Sequence, residues 1–405
     1  MHMLRDQKGF HFLPLLLILV VAGVVGFVGF TVINKHTNKQ YGGSSEPAPS
    51  EQGPNYKALS ECGSDPMLTV APMDLSKLDS ISPLGGIAPP EHTQPTDHMY
   101  FMFKYERPAS ERYDVVAPGN IVVTSIGYGG EVENGKYKNT DYAIDFSPCK
   151  GLSFRLSHIN TLEGVLKGEV GLDGKGAGCN ESSPVAGKVK LNCGKNVDIS
   201  IKAGELIGKV GATYVAALDV WAHKTGYKNP KMITPEYSYS FDSVCPVDYY
   251  TPAIQAKMYA LVKRTAEPRC GEIGQDKKDT LQGGWYSHKD PEEARTDWNS
   301  HLTLAHNSGN PGVGVLAVAG KIAQPYVYNF TPKHAGTINR EPSETKAGTV
   351  YCYQHEGNRR FSNGTMAGEG KTLFKLIDNH TTQVEYKTGL CSADEALSKP
   401  TTYYR

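Results

Sequence analysis

Along most of this chain, hydrophobic and polar residues alternate with the period of a strand rather than that of a helix. Between residues 115 and 223 the pattern runs through VVAPGNIVVTSI, DYAIDFSPCKGLSFRLSHI and IKAGELIGKVGATYVAALDVWAH, short β-rich runs separated by Gly, Pro and Asn turns. No helical period intervenes, so the stretch predicts a compact antiparallel β-domain. Alternation puts Leu152, Phe154, Leu156 and His158 on one face of a strand, and Asp219, Trp221 and His223 on one face of another. Two polar groups, His158 and Asp219, thereby fall where a core should be apolar. An imidazole there either binds metal, moves a proton or is a hydrogen-bonded structural group. A buried carboxylate is costly unless it is paired or metal-bound.

Further along, Thr251-Pro252 has the form of a helix start, with Thr at the N-cap and Pro in the first turn. Ile254, Met258, Leu261 and Val262 then recur as one apolar helical face, which predicts a helix packed on a neighbour. Beyond Cys270 the period of two returns around residues 280–286, 301–304, 314–318, 349–353 and 383–386. Short strands at such intervals predict a small barrel or sandwich. Its opening Gly283-Gly284-Trp285-Tyr286 resembles the start of calycin-type barrels. Trp285 and Trp298, with His288, His301 and His306 nearby, read as core or rim groups of that domain.

The amino-terminal part has neither period. Residues 10–33 form an apolar run of 24 with only His11 and Thr31 polar, long enough as a helix to cross a bilayer core of about 30 Å. A cleaved signal peptide would be shorter and would end in small residues. Residues 34–60, rich in Gly, Ser and Pro, read as a disordered tether reaching about 30 Å. The expected organisation is a cytoplasmic tail over 1–9, a transmembrane helix over 10–33, a tether over 34–60 and a β-domain over 61–232. A connector with a helix over 233–269 and a β-domain over 270–405 complete it. The fold class is thus mainly β behind a single-pass membrane anchor.

Charge alters little, because 42 basic residues balance 42 acidic ones and give no bulk reason to expect nucleic acid as a partner. The eight cysteines say more. Dispersed, even in number and without a C-x-x-C pair, they read as disulfides in an oxidising, extracytoplasmic compartment. Eight cysteines allow about 105 connectivities, so spacing cannot choose among them; a reading by locality alone pairs Cys179 with Cys193, Cys245 with Cys270 and Cys352 with Cys391, leaving Cys62 with Cys149.

Three segments carry a family likeness. Ala117-Pro118-Gly119-Asn120-Ile121-Val122 looks like an "AP-x-x-G-x-V" turn and strand with Asn120 where Gly is usual, Ser157-His158-Ile159 looks like a "Y-x-H-L" segment, and Ala203-Gly204-Glu205-Leu206-Ile207-Gly208 is similar to a "V-x-x-G-x-x-I-G" hairpin. The region around residues 84–223 therefore resembles the lysostaphin-like zinc metallopeptidases, β-rich endopeptidases that cut peptide cross-links in bacterial cell walls. The resemblance implies that His158 assists catalysis. Ala217-Leu218-Asp219 stands where the family has "H-x-H", so Ala217 and Asp219 replace its two histidines. The family's "H-x-x-x-D" ligands should lie near residues 91–98, where His98 has Met102 four residues on and His92 has Asp97 at five.

Two functions follow from the resemblance. As an enzyme, the chain would cleave peptidoglycan cross-links with zinc on His98 or His92, Asp97 and Asp219, and His158 would stabilise attack by a metal-activated water. As a non-enzyme, it would keep the fold to bind cell-wall or surface peptide or glycan, its metal site dismantled by Ala217 and Met102. A firm carboxylate without a certain His triad favours the second. No P-loop, Rossmann fingerprint, G-x-S-x-G or H-E-x-x-H motif supports another chemistry.

Overall fold

The computed structural model describes residues 59–405 except 106–109, 134–135, 172–176, 182–187, 212–215, 239, 356–359 and 362–369. Two antiparallel sheets dominate, as the alternation predicts. The first comprises β1 (Leu78–Ser82), β2 (His98–Phe103), β3 (Tyr113–Val116), β4 (Ile121–Glu133), β5 (Lys136–Cys149), β6 (Leu152–Leu162), β7 (Gly178–Glu181), β8 (Lys188–Ile201), β9 (Leu206–Val210) and β10 (Ala217–Lys224). Its order is β1-β2-β10-β6-β5-β4-β8-β7, with β9 joining β3 to β6. Side chains of one face, among them Met99, Phe101, Phe154, Leu156, Leu218 and Val220, pack into a single apolar core.

A ten-residue helix, α1 (Pro252–Leu261), closes that core on the β1 side. Met258 and Val262 are buried, and Ile254 and Leu261 pack against the cluster, so the apolar face read from the sequence is the packed one. Thr251 occupies the N-cap position, but its side chain makes no capping bond.

The second sheet comprises β11 (Gly283–Tyr286), β12 (His301–His306), β13 (Gly314–Val318), β14 (Tyr326–Phe330), β15 (Val350–His355), β16 (Arg360–Phe361), β17 (Gly370–Asp378), β18 (Thr381–Thr388) and β19 (Thr401–Tyr404), with the short α2 (Pro291–Thr296) between β11 and β12. Its order is β15-β17-β18-β19-β11-β12-β13-β14-β16. Because β15 and β16 follow one another in the chain, the sheet returns on itself as a nearly closed barrel. Trp285 is fully buried in its core, with the Arg405 guanidinium 4.1 Å above the ring.

The fold class needs one correction. Among the described residues no helix is long and apolar enough to cross a membrane. The longest, α1, spans about 15 Å at 1.5 Å per residue, half of what a bilayer core requires. The expected tail over 1–9, membrane helix over 10–33 and tether from 34 up to residue 58 lie outside the described residues.

Three of the four expected cysteine pairs are disulfides: Cys62–Cys149, Cys245–Cys270 and Cys352–Cys391. The fourth pair, Cys179 and Cys193, are register partners on β7 and β8. The middle bridge sits at a seam where Leu84 N–H donates to the Cys270 carbonyl at 2.8 Å. Here Gly85 has φ +84°, and a Cβ on it would collide with the Glu272 carbonyl. Gly85→Ala is expected to cost at least about 1–3 kcal/mol, the cost of a non-glycine residue in that conformation. Chemical denaturation checks it, and an unchanged midpoint would refute the crossing as drawn.

Candidate functional site

The site forms on the face of the first sheet opposite its core. Antiparallel register fixes which side chains share that face: Trp221 lies opposite His98 and Asp219 opposite Tyr100 on β2, while Asp219 lies opposite Ser157 and Trp221 opposite Arg155 on β6. Val220, Ala222, Leu156 and Phe154, the intervening residues, face the core. Asp219, Trp221 and His223 thus share a face, as the sequence implies, but it is not the face of Leu156.

Strict alternation would put His158 on the core face with Leu156. A β-bulge prevents this. Between Ile144↔Leu156 and Tyr142↔Ile159, one residue of β5 opposes two of β6, and His158 takes φ +67°. An extra residue in one strand re-aims the side chains that follow it, and here it turns the imidazole onto the polar face. Its Nδ1 lies 2.8 Å from Asp141 Oδ2 and its Nε2 2.9 Å from Asp219 Oδ2.

Around that pair the other expected site residues assemble. His98 Nε2 lies 3.6 Å from the same Asp219 oxygen, and its Nδ1 lies 3.0 Å from Asp97 Oδ1. Trp221 Nε1 donates to Asp97 Oδ1 at 2.8 Å and Ser240 Oγ donates to Oδ2 at 2.7 Å. The ring of His98 packs 4.1 Å from that of Trp221 and 4.7 Å from that of Tyr100, with His92 at 5.4 Å. Asp219 is 2% exposed, and its Oδ1 meets no hydrogen-bond donor among the described residues. His223 stands apart, bonded to Asp242 at 2.9 Å and Ser243 at 3.2 Å.

Electrostatics sort the imidazoles. Burial alone would lower the pKa of His158, but the carboxylates of Asp219 and Asp141 raise it well above the ordinary value. His158 is therefore an imidazolium at neutral pH. His92 goes the other way: burial, reinforced by His98, pushes it down to about 4, so it is neutral. For Asp97, burial is outweighed by the hydrogen bond and charge of His98, which hold the carboxyl below its usual range.

The sequence picked out His92, Asp97, His98, His158 and Asp219, and the fold brings all five together. It passed over Asp141 and Ser240. Asp141 is separated from His158 by 17 positions and Ser240 from Asp97 by 143, so no local motif joins them. Alternation from Asp145 through Ala143 would have put Asp141 on the site face. Near the loop that carries Asp97, a small pocket is lined by Gln94, Pro95, Tyr237, Ser238 and Asp276 among others.

Of the expected site residues, His158 and Asp97 already have their polar atoms engaged: both nitrogens of His158 are committed to carboxylates, and Asp97 is committed to His98, Trp221 and Ser240. Among the described residues no group of three or more His, Cys, Asp or Glu side chains is arranged to hold a metal ion. The histidines of the second domain are also engaged structurally: His288 with Asp297, His301 with the Ala294 carbonyl and His306 with Glu341. Comparison with protein-family models, with curated proteins and with solved structures finds no match for this chain.

Proposed function

We propose that the chain is an extracytoplasmic binding module for cell-wall or surface peptide or glycan, with a lysostaphin-like first domain whose site has lost its catalytic chemistry. One observation carries this reading: His158 is gripped at both ring nitrogens by Asp141 and Asp219. An imidazolium donates at both nitrogens and has no lone pair with which to take a proton or bind a metal. Its positive charge stands between carboxylates that a metal ion would otherwise neutralise. The neighbouring rings of Trp221, Tyr100 and His92 then offer apolar faces with polar tips, the kind of surface that holds sugar rings and peptide side chains. Disulfides in both domains support an oxidising compartment.

The zinc endopeptidase remains the second reading, favoured by the buried, unpartnered Oδ1 of Asp219. Metal analysis of the purified protein, paired with sedimentation on peptidoglycan and a digestion assay, separates the two. The expected outcome is co-sedimentation without stoichiometric zinc or released muropeptides. Stoichiometric zinc with cleavage abolished by His158→Ala would establish the enzyme instead, and an inert protein that leaves peptidoglycan unbound would refute both.

A further inference from the structure

Asp97 is held from two directions by groups that the C-terminal barrel fixes. Three residues before it, the Gln94 side chain leaves the first domain for the second. Its Nε2 donates to the carbonyls of Leu302 at 3.0 Å and Trp285 at 3.4 Å, and Thr303 Oγ1 donates to its Oε1 at 2.9 Å. Two carbonyls on one side and a hydroxyl on the other match a primary amide; a carboxylate could not donate and an alkyl group could do neither. Between Gln94 and Asp97, the ring of Pro95 fixes φ, and Thr96 is buried with its N–H on the Gly86 carbonyl at 2.9 Å. Movement at Gln94 therefore has little slack in which to dissipate before Asp97.

From the other direction comes Ser240, which donates to Asp97 Oδ2. The segment that bears it is also tied to the second domain. Ile233 N–H donates to Asp276 Oδ2 at 2.9 Å, and Asp276 Oδ1 accepts from Gly284 N–H of β11 at 2.9 Å. The Tyr237 hydroxyl donates to the Lys289 carbonyl.

We infer that Gln94 is a positioning residue: the barrel, by gripping its amide, sets Asp97 and through it the orientation of Trp221 and His98 in the candidate site. The second domain is then part of the site's construction. This deepens the binding reading, since it concerns the same site, but its test needs no ligand.

The test is the indole N–H spectrum of the full chain labelled with ¹⁵N-tryptophan. Trp221 reports on Asp97, which its Nε1 contacts at 2.8 Å, and Trp285, bonded to the Leu281 carbonyl at 2.9 Å, reports on barrel integrity. In Gln94→Leu the Trp221 resonance moves and its exchange with water speeds at least tenfold, while Trp285, whose carbonyl loses its own contact with Gln94, shifts in resonance but keeps its slow exchange. Gly284→Ala gives the same change with Gln94 intact, because its Cβ would collide with the Gln94 amide oxygen. Thr303→Val, lacking one of the three bonds, gives a smaller change and carries the test should the other variants unfold. An unmoved Trp221 in folded variants overturns the inference. Failure to bind peptidoglycan would bear on the binding reading alone.

Discussion

Asp219→Ala is expected to destabilise the protein by about 3–5 kcal/mol at neutral pH, the range for removing one partner of a buried ion pair. The carboxylate side chain is 4% exposed and lies 2.9 Å from His158 Nε2, itself only 15% exposed. Its loss leaves a buried imidazolium with Asp141 as its remaining carboxylate partner at Nδ1. The pH dependence has a definite sign. His158 titrates higher in the fold than its ordinary 6.5, so its stabilising contribution is complete below that unfolded value. It is lost as pH rises through the raised folded value. The gap between parent and variant should therefore be widest in mildly acidic solution and narrow on the alkaline side. Urea denaturation at a series of pH values measures it, and Asp219→Asn, which keeps the volume but not the charge, separates charge from packing. A gap below about 1 kcal/mol, the worth of an exposed pair, would sink the ion-pair account.

How much of this was legible before the fold was seen depends on whether a feature is periodic. The strands were, because alternation along β2, β6 and β10 is a local property of the side chains; the helix face of Met258 and Val262 was legible for the same reason. The placement of His158 was not read correctly, although a signal existed. Leu152, Phe154 and Leu156 keep a period of two, but the next buried apolar residue, Ile159, is out of step with it. That slip marks the bulge. Without it, His158 is assigned to the core face, and its two carboxylates have no reason to meet it. Gln94 carried no signal at all, since its partners lie about two hundred positions away in another sheet. Pairings that cross domains are set by docking, which leaves no period in the sequence.

Removing the Cys245–Cys270 bridge, by replacing both cysteines with serine, is expected to cost roughly 3–4 kcal/mol from the restored freedom of a loop of this length in the unfolded chain. The cysteines are 25 positions apart, and the loop between them contains α1. Position makes this bridge more than an entropic tie. Cys270 is buried, its Sγ lies 3.7 Å from Met99 Sδ in the first core, and its carbonyl receives the Leu84 N–H. Leu84 begins the loop that carries Gln94 and Asp97. Cys245 lies two residues beyond Ser243 and three beyond Asp242, which hold His223. Loosening the bridge should therefore disturb the Trp221 indole signal as well as global stability. The Cys352–Cys391 bridge supplies the control: at a separation of 39 it should cost a similar amount by the same entropy argument, yet it lies wholly in the barrel and should leave Trp221 unmoved. Denaturant midpoints for the two double variants, read beside their indole spectra, decide the matter. Equal responses of Trp221 in both would show that the seam at Leu84 and Cys270 does not transmit to the site, and a loss below 1 kcal/mol for Cys245 and Cys270 would refute the stabilising role itself.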